Sequence, residues 1–102
     1  MSTKKWFGID DLEKKHGPMT VGLFISAFRE AENLSQAEYA KKLGLSRANL
    51  CDIEKGRKLV SLERAAKIAK RMGAPEAALI QLSLQDQLRD QKLAYKVELK
   101  SA

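Results

Sequence analysis

The chain has 102 residues, 44% apolar and 31% charged, which suits one domain with a single core and a charged surface. One cysteine (Cys51) and one histidine (His16) exclude an intrachain disulfide and a cysteine-based zinc site, so no metal or other cofactor is expected. The net charge is +6, and the whole surplus falls in residues 34–73, where ten cationic side chains stand against four acidic ones; a surplus so confined suits a polyanion such as a nucleic acid.

Leu, Ala, Lys, Glu, Gln and Arg dominate, and all are good helix formers, so the expected class is all-α. Residues 1–19 read as an arm. Within it Ile9 to Lys15 suits a short helix whose acidic start (Asp10, Asp11, Glu13) favours the N-terminal dipole end, and Gly17-Pro18 closes it. Trp6 and Phe7 are apolar residues in a polar stretch, suited either to anchoring the arm or to binding a partner. The domain proper is expected over 20–91. Thr20 caps a helix to about Glu32, with Val21, Phe24, Ile25 and Phe28 on one face.

Ser35-Gln36-Ala37-Glu38 is a capping box, and it opens a helix over 36–43 that buries Ala37, Ala40 and Leu43. Gly44 supplies a left-handed turn and Leu45 an apolar plug. Ser46 caps the next helix, from Arg47 to about Lys55, with Leu50 and Ile53 inward. Gly56 ends it, before the basic pair Arg57-Lys58. Ser61 caps a helix from Leu62 to Met72, with Leu62, Ala65, Ala66, Ile68 and Ala69 inward. Pro75 fits the first position of a last helix to about Asp90, with Ile80, Leu84 and Leu88 on one stripe. Beyond Lys92 the period shortens to two, and residues 92–102 read as a tail in which Leu93, Tyr95, Val97 and Leu99 form a short strand. A lone strand leaves its backbone unpaired, which points to a second subunit.

Two short capped helices joined by a tight turn, from Ser35 to Lys58, make a helix-turn-helix by spacing alone. Ser35-Gln36, Ala40, Leu43-Gly44-Leu45-Ser46, Leu50 and Ile53-Glu54-Lys55-Gly56-Arg57 resemble the Cro and phage-repressor family, also called the Xre family. The resemblance runs from about Thr20 to Met72. It implies a five-helix lambda-repressor-like domain that binds double-stranded DNA as a transcriptional repressor. A fainter likeness, in size and tail, is to HigA- and HipB-type antitoxins. It implies the alternative of an autoregulating antitoxin that also neutralises a toxin protein.

The resemblance also implies roles. The helix from Arg47 enters the major groove N-terminus first. Arg47 suits guanine O6 and N7, Asn49 suits adenine or a phosphate, and Ala48 suits a thymine methyl. Asp52 either accepts from cytosine N4 or pairs with Lys55 or Arg47 and touches no base. Gln36, Ser46, Lys55, Arg57 and Lys58 are placed for phosphates, which position the protein without reading sequence. Arg29 and Glu54 are expected as a structural ion pair. Cys51 is expected to pack as a small core residue. A homodimer on a palindromic operator is expected, with Leu84, Leu88, Leu93, Tyr95, Val97 and Leu99 at the interface and the two strands paired as a ribbon.

No nucleophile–base pair and no glycine-rich phosphate loop occurs, so an enzyme is not expected. No apolar run approaches the roughly 18 residues of a membrane span, and Met1 to Trp6 does not read as a secretion signal, so a cytoplasmic chain is expected.

Overall fold

Hydroxyl side chains set where four of the five helices among the described residues begin. The computed structural model describes residues 18–100. The helices are α1 (Val21–Ala31), α2 (Gln36–Leu43), α3 (Arg47–Glu54), α4 (Leu62–Met72) and α5 (Glu76–Asp90). Thr20, Ser35, Ser46 and Ser61 precede α1 to α4, and each accepts from the amide three residues on, at 3.0 to 3.2 Å. That bond satisfies one of the donors a helix start leaves open. At α2 the box closes from both sides, since the Glu38 carboxylate accepts from the Ser35 amide at 3.0 Å. This hydrogen bonding pulls the Glu38 pKa below the usual carboxylate range.

The helix ends share one backbone solution. The residues Asn33, Gly44, Gly56, Gly73 and Lys92 are left-handed, with φ between 57° and 75°. Each following amide turns back five residues to a carbonyl: Leu34 to Arg29, Leu45 to Ala40, Arg57 to Asp52, Ala74 to Ala69 and Leu93 to Leu88, at 2.8 to 3.2 Å. This closed cap consumes carbonyls that a helix end leaves open, and it reverses the chain within two residues.

One core joins the five helices. Phe24 and Ile25 of α1, Tyr39, Ala40 and Leu43 of α2, Leu50 and Ile53 of α3, Ile68 and Ala69 of α4 and Leu79 of α5 are buried together. α1 packs on α3 and α5, α2 on α3 and α4, and α4 on α5. The buried stripe of α2 is therefore Tyr39, Ala40 and Leu43, not the expected set with Ala37. Ala37 is exposed because it lies two residues, about 200° of helix rotation, from Tyr39. Leu62, expected inward, is 40% exposed in the first turn of α4, beyond the edge of the core, and Ala66 is half-buried. Pro75 flanks α5 instead of opening it. Its ψ of 128° is extended, and its carbonyl takes the first turn's amides from Ala78 and Leu79.

The expected C-terminal strand is not formed: the described residues contain no strand, and 93–100 have no regular structure. The alternation in Leu93–Leu99 marks an extended segment, yet a strand needs a backbone partner. Part of that role falls to one side chain. The Gln85 carboxamide donates to the Tyr95 carbonyl at 2.7 Å and accepts from the Val97 amide at 2.8 Å. The short helix expected over Ile9–Lys15, with Trp6, Phe7 and His16, lies outside the described residues.

Candidate nucleic-acid interface

The turn between α2 and α3 follows from three residues. Gly44 reverses the chain, Leu45 lies half-buried against the core, and Ser46 caps α3. The second helix thus starts at the surface with its first residues facing outward. Arg47 and Ala48 are exposed, and Arg47 has no side-chain partner among the described residues.

The inner side of α3 is held by packing and by one ion pair. Leu50 and Ile53 are buried. Gly22 of α1 lies against the backbone of α3, and a β-carbon there would stand 2.1 Å from the Ile53 carbonyl oxygen and 2.9 Å from that of Glu54. Only a residue with no side chain allows this approach. Arg29 grips Glu54 with two bonds, Nε to Oε2 at 2.8 Å and Nη2 to Oε1 at 3.1 Å. Its Nη1 donates to the Leu34 carbonyl at 3.1 Å. The side chains of Arg29 and Glu54 are 17% and 6% exposed, so both are largely out of water. The hydrogen bond to Glu54 raises the Arg29 pKa further, against the opposing effect of burial.

Gln36 joins this pair from the start of α2. Its amide nitrogen donates to Glu54 Oε1 at 3.0 Å. The residue expected at a phosphate is thus engaged with the end of α3. Sequence spacing does not reveal this, because 18 residues separate the partners.

The outer side of α3 has its own ties. Arg57 Nε donates to Asp52 Oδ1 at 3.1 Å, and Arg57 Nη2 approaches Cys51 Sγ at 3.7 Å. Lys58 Nζ donates to Asn49 Oδ1 at 2.8 Å. Asp52 therefore pairs with Arg57, a partner that neither expectation for it named. The signal was present in Gly56: the closed cap there carries residue 57 back over residue 52. Asn49 and Cys51 are half-buried, so Cys51 packs less deeply than a core position. Ser46 and Lys55 are exposed at the two ends of the helix.

α5 ties down what flanks the interface. The buried Ser83 hydroxyl donates to the Val60 carbonyl, which pins the loop after α3. Asp86 accepts from the Val21 amide at 3.1 Å, at the start of α1, and from Arg89 at 3.1 Å. Burial raises the Asp86 pKa in spite of these two donors. Neither Ser83 nor Asp86 stood out in the sequence, since each is one of several polar residues on α5 and its partner, Val60 or Val21, lies on a distant segment. Among the described residues, no three His, Cys, Asp or Glu side chains gather to hold a metal, and no helix is long and apolar enough to cross a membrane.

Residues 25–79, from α1 to the first turn of α5, match the helix-turn-helix family model. The chain belongs to that family. It falls in the Xre/Cro-type branch of DNA-binding transcriptional regulators. Within this helix-turn-helix family the chain is 39% identical to an immunity repressor protein of Bacillus phage phi105 over 62 residues, 61% of this chain and 43% of that protein. It is 50% identical over 46 residues to an HTH-type transcriptional regulator of Methanocaldococcus jannaschii, covering 45% of this chain and 70% of the relative. It is 45% identical over 49 residues to an ImmF control region 10 kDa protein of Bacillus phage phi105, covering 48% of this chain and 54% of the relative. The chain thus spans about half the length of the two phage proteins it matches. No solved structure is similar enough to count as a match.

Proposed function

We propose that this helix-turn-helix protein is a repressor that binds double-stranded DNA sequence-specifically and reads a palindromic operator with α3 in the major groove. The observation that carries this reading is the state of the α3 start. Arg47 and Ala48 stand exposed beside a capped N-terminus, in the segment that holds the whole positive surplus. Arg47 reaches a guanine edge with two donors, and Ala48 offers a methyl contact to thymine. Ser46 and Lys55, exposed at opposite ends of α3, suit phosphates on the two sides of the groove. The similarity to a protein named an immunity repressor supports repression as the outcome of binding.

A palindromic site calls for two copies. One helix-turn-helix makes few base contacts, and a two-fold dimer places two recognition helices one DNA turn apart. The surface that suits a second copy is formed by α5 and the segment after it. Leu93, Tyr95 and Leu99 are 46%, 70% and 37% exposed, beside the half-buried Leu84, Leu88 and Val97. Contact here runs through side chains, because Gln85 holds the segment's backbone.

The deciding experiment is selection of bound duplexes from a random pool, followed by Arg47→Ala. The variant should relax discrimination at one base pair per half-site and cost about 1–3 kcal/mol in binding the selected sequence. Equal loss on selected and random duplexes would remove Arg47 from base reading. Light scattering at tens of micromolar protein should give the mass of two chains, and a monomer would remove the paired-site model.

A further inference from the structure

The sequence places Arg57 and Lys58 as anchors on phosphates, blind to the bases. Their geometry argues otherwise. Both are tied to side chains of the reading helix, Arg57 to Asp52 and Lys58 to Asn49. We infer that Arg57 and Lys58 are specificity-determining residues, paired with Asp52 and Asn49 as two composite readers that present hydrogen-bond donors to the groove and select guanine. This rests on the proposed reading of DNA by α3.

The placement is set by the backbone, not by the ion pair. Gly56 is left-handed at φ 74°, its amide bonds the Ile53 carbonyl at 3.1 Å, and the Arg57 amide bonds the Asp52 carbonyl at 2.8 Å. In this cap the residue after the glycine lies over the residue five before it, where an apolar contact is common. Here that contact is a carboxylate and a guanidinium. The far end of the loop is fixed as well, because Val60 is buried and its carbonyl accepts from Ser83. Lys58 lies between two fixed points and reaches Asn49, three residues before Asp52 on α3. Exposed ion pairs contribute little by themselves. The cap and the Val60 anchor keep both cations beside the helix without depending on them.

The pairing changes what each position offers a base. A lone asparagine matches adenine by accepting from N6 with its oxygen while donating to N7 with its nitrogen. Asn49 has its oxygen engaged by Lys58, so the pair presents an amide N–H and an ammonium, donors both. A lone aspartate would accept from cytosine N4 and would repel the phosphates. Asp52 carries a guanidinium instead, and Arg57 keeps unused N–H groups on its two terminal nitrogens after the bond to Asp52. The base edge that receives two donors side by side is guanine, through N7 and O6.

A phosphate contact and a base reader separate cleanly in solution. Removing a phosphate contact weakens all duplexes alike and lowers the salt slope by about one. Removing a base reader erodes preference for one base pair. The test uses the full chain, duplexes selected by it from a random pool, and a salt series. Wild type is expected to select guanine at two further positions per half-site. Lys58→Met should lower the preference for one of these guanines about tenfold, within the range for a two-donor contact. Asn49→Ala should lower preference at the same base pair, and the double variant should lose no more than either alone. Arg57→Ala and Asp52→Ala should share a second base pair in the same way. Circular dichroism melts should stay close to wild type, because all four side chains lie at the surface or its edge. The inference is overturned if Lys58→Met and Arg57→Ala weaken selected and random duplexes by one common factor. Adenine or cytosine selected at the affected positions also overturns it. If wild type prefers no duplex over random DNA, the proposed function itself fails, and the inference with it.

Discussion

On its inner side α3 offers Glu54 to Arg29 and Gln36, and on its outer side it offers Asp52 to Arg57. Both are arginine–carboxylate contacts on one eight-residue helix. The side chains of the inner pair are 17% and 6% exposed, while those of the outer pair are 57% and 42% exposed. Out of water, the inner contact is strong and costly to leave half-made, so it fixes where the helix sits. In water, the outer contact is weak and screened, so it has little bearing on the fold. One helix thereby separates its attachment from its chemistry, and changes on the two sides should differ in kind.

The largest effect is expected at Arg29. Arg29→Ala leaves the Glu54 carboxylate buried with Gln36 as its remaining side-chain donor, and should cost about 3 kcal/mol of stability by urea unfolding. A loss below about 1 kcal/mol would put the inner pair in the same class as the outer one. Gly22→Ala tests the same side without touching charge. Its β-carbon would meet the Ile53 carbonyl at 2.1 Å, so backbone has to shift, at a cost of about 1–3 kcal/mol in the same assay. On the outer side, Asp52→Ala should change stability by less than about 1 kcal/mol, and a larger loss would show that the fold leans on that pair.

The subtlest test is pH. Burial raises the Asp86 pKa, so between the ordinary carboxylate value and the raised one the folded chain holds a proton that the unfolded chain has lost. Stability must then fall as pH climbs through that window. Asp86→Asn keeps an acceptor for the Val21 amide and removes the titration. It should flatten this part of the melting-temperature profile and raise stability at neutral pH relative to wild type. An unchanged profile would mean that the start of α1 does not feel the Asp86 charge.

Much of the architecture is legible in local sequence. The serines at 35, 46 and 61 and the glycines at 44, 56 and 73 bracket α2, α3 and α4, because caps are local and their chemistry is written in adjacent residues. The Arg29–Glu54 contact was expected from resemblance, not from spacing. What stayed hidden is non-local. Tyr39 in the core, Gln36 turned to Glu54, Ser83 on Val60 and Gly22 beneath Ile53 each depend on how distant segments meet. The period of two in Leu93–Leu99 marks an extended chain. It does not say whether a strand or a single carboxamide satisfies the backbone. The exposed, cationic character of the outer side of α3 and its following loop was legible in composition. The wiring of that side was not, because Asp52 and Arg57 are matched by the fold of a cap and not by a helical interval.

The bare backbone contact at Gly22 has a consequence for how this scaffold tolerates change. In a saturation library, position 22 should accept glycine alone, while the exposed positions of α3 vary widely at little cost in folding. Diversifying α3 and its following loop together, with the floor beneath them left untouched, would therefore test the proposed reading of DNA without disturbing the fold. A graft of α3 alone onto another framework would leave behind both that floor and the loop that meets it.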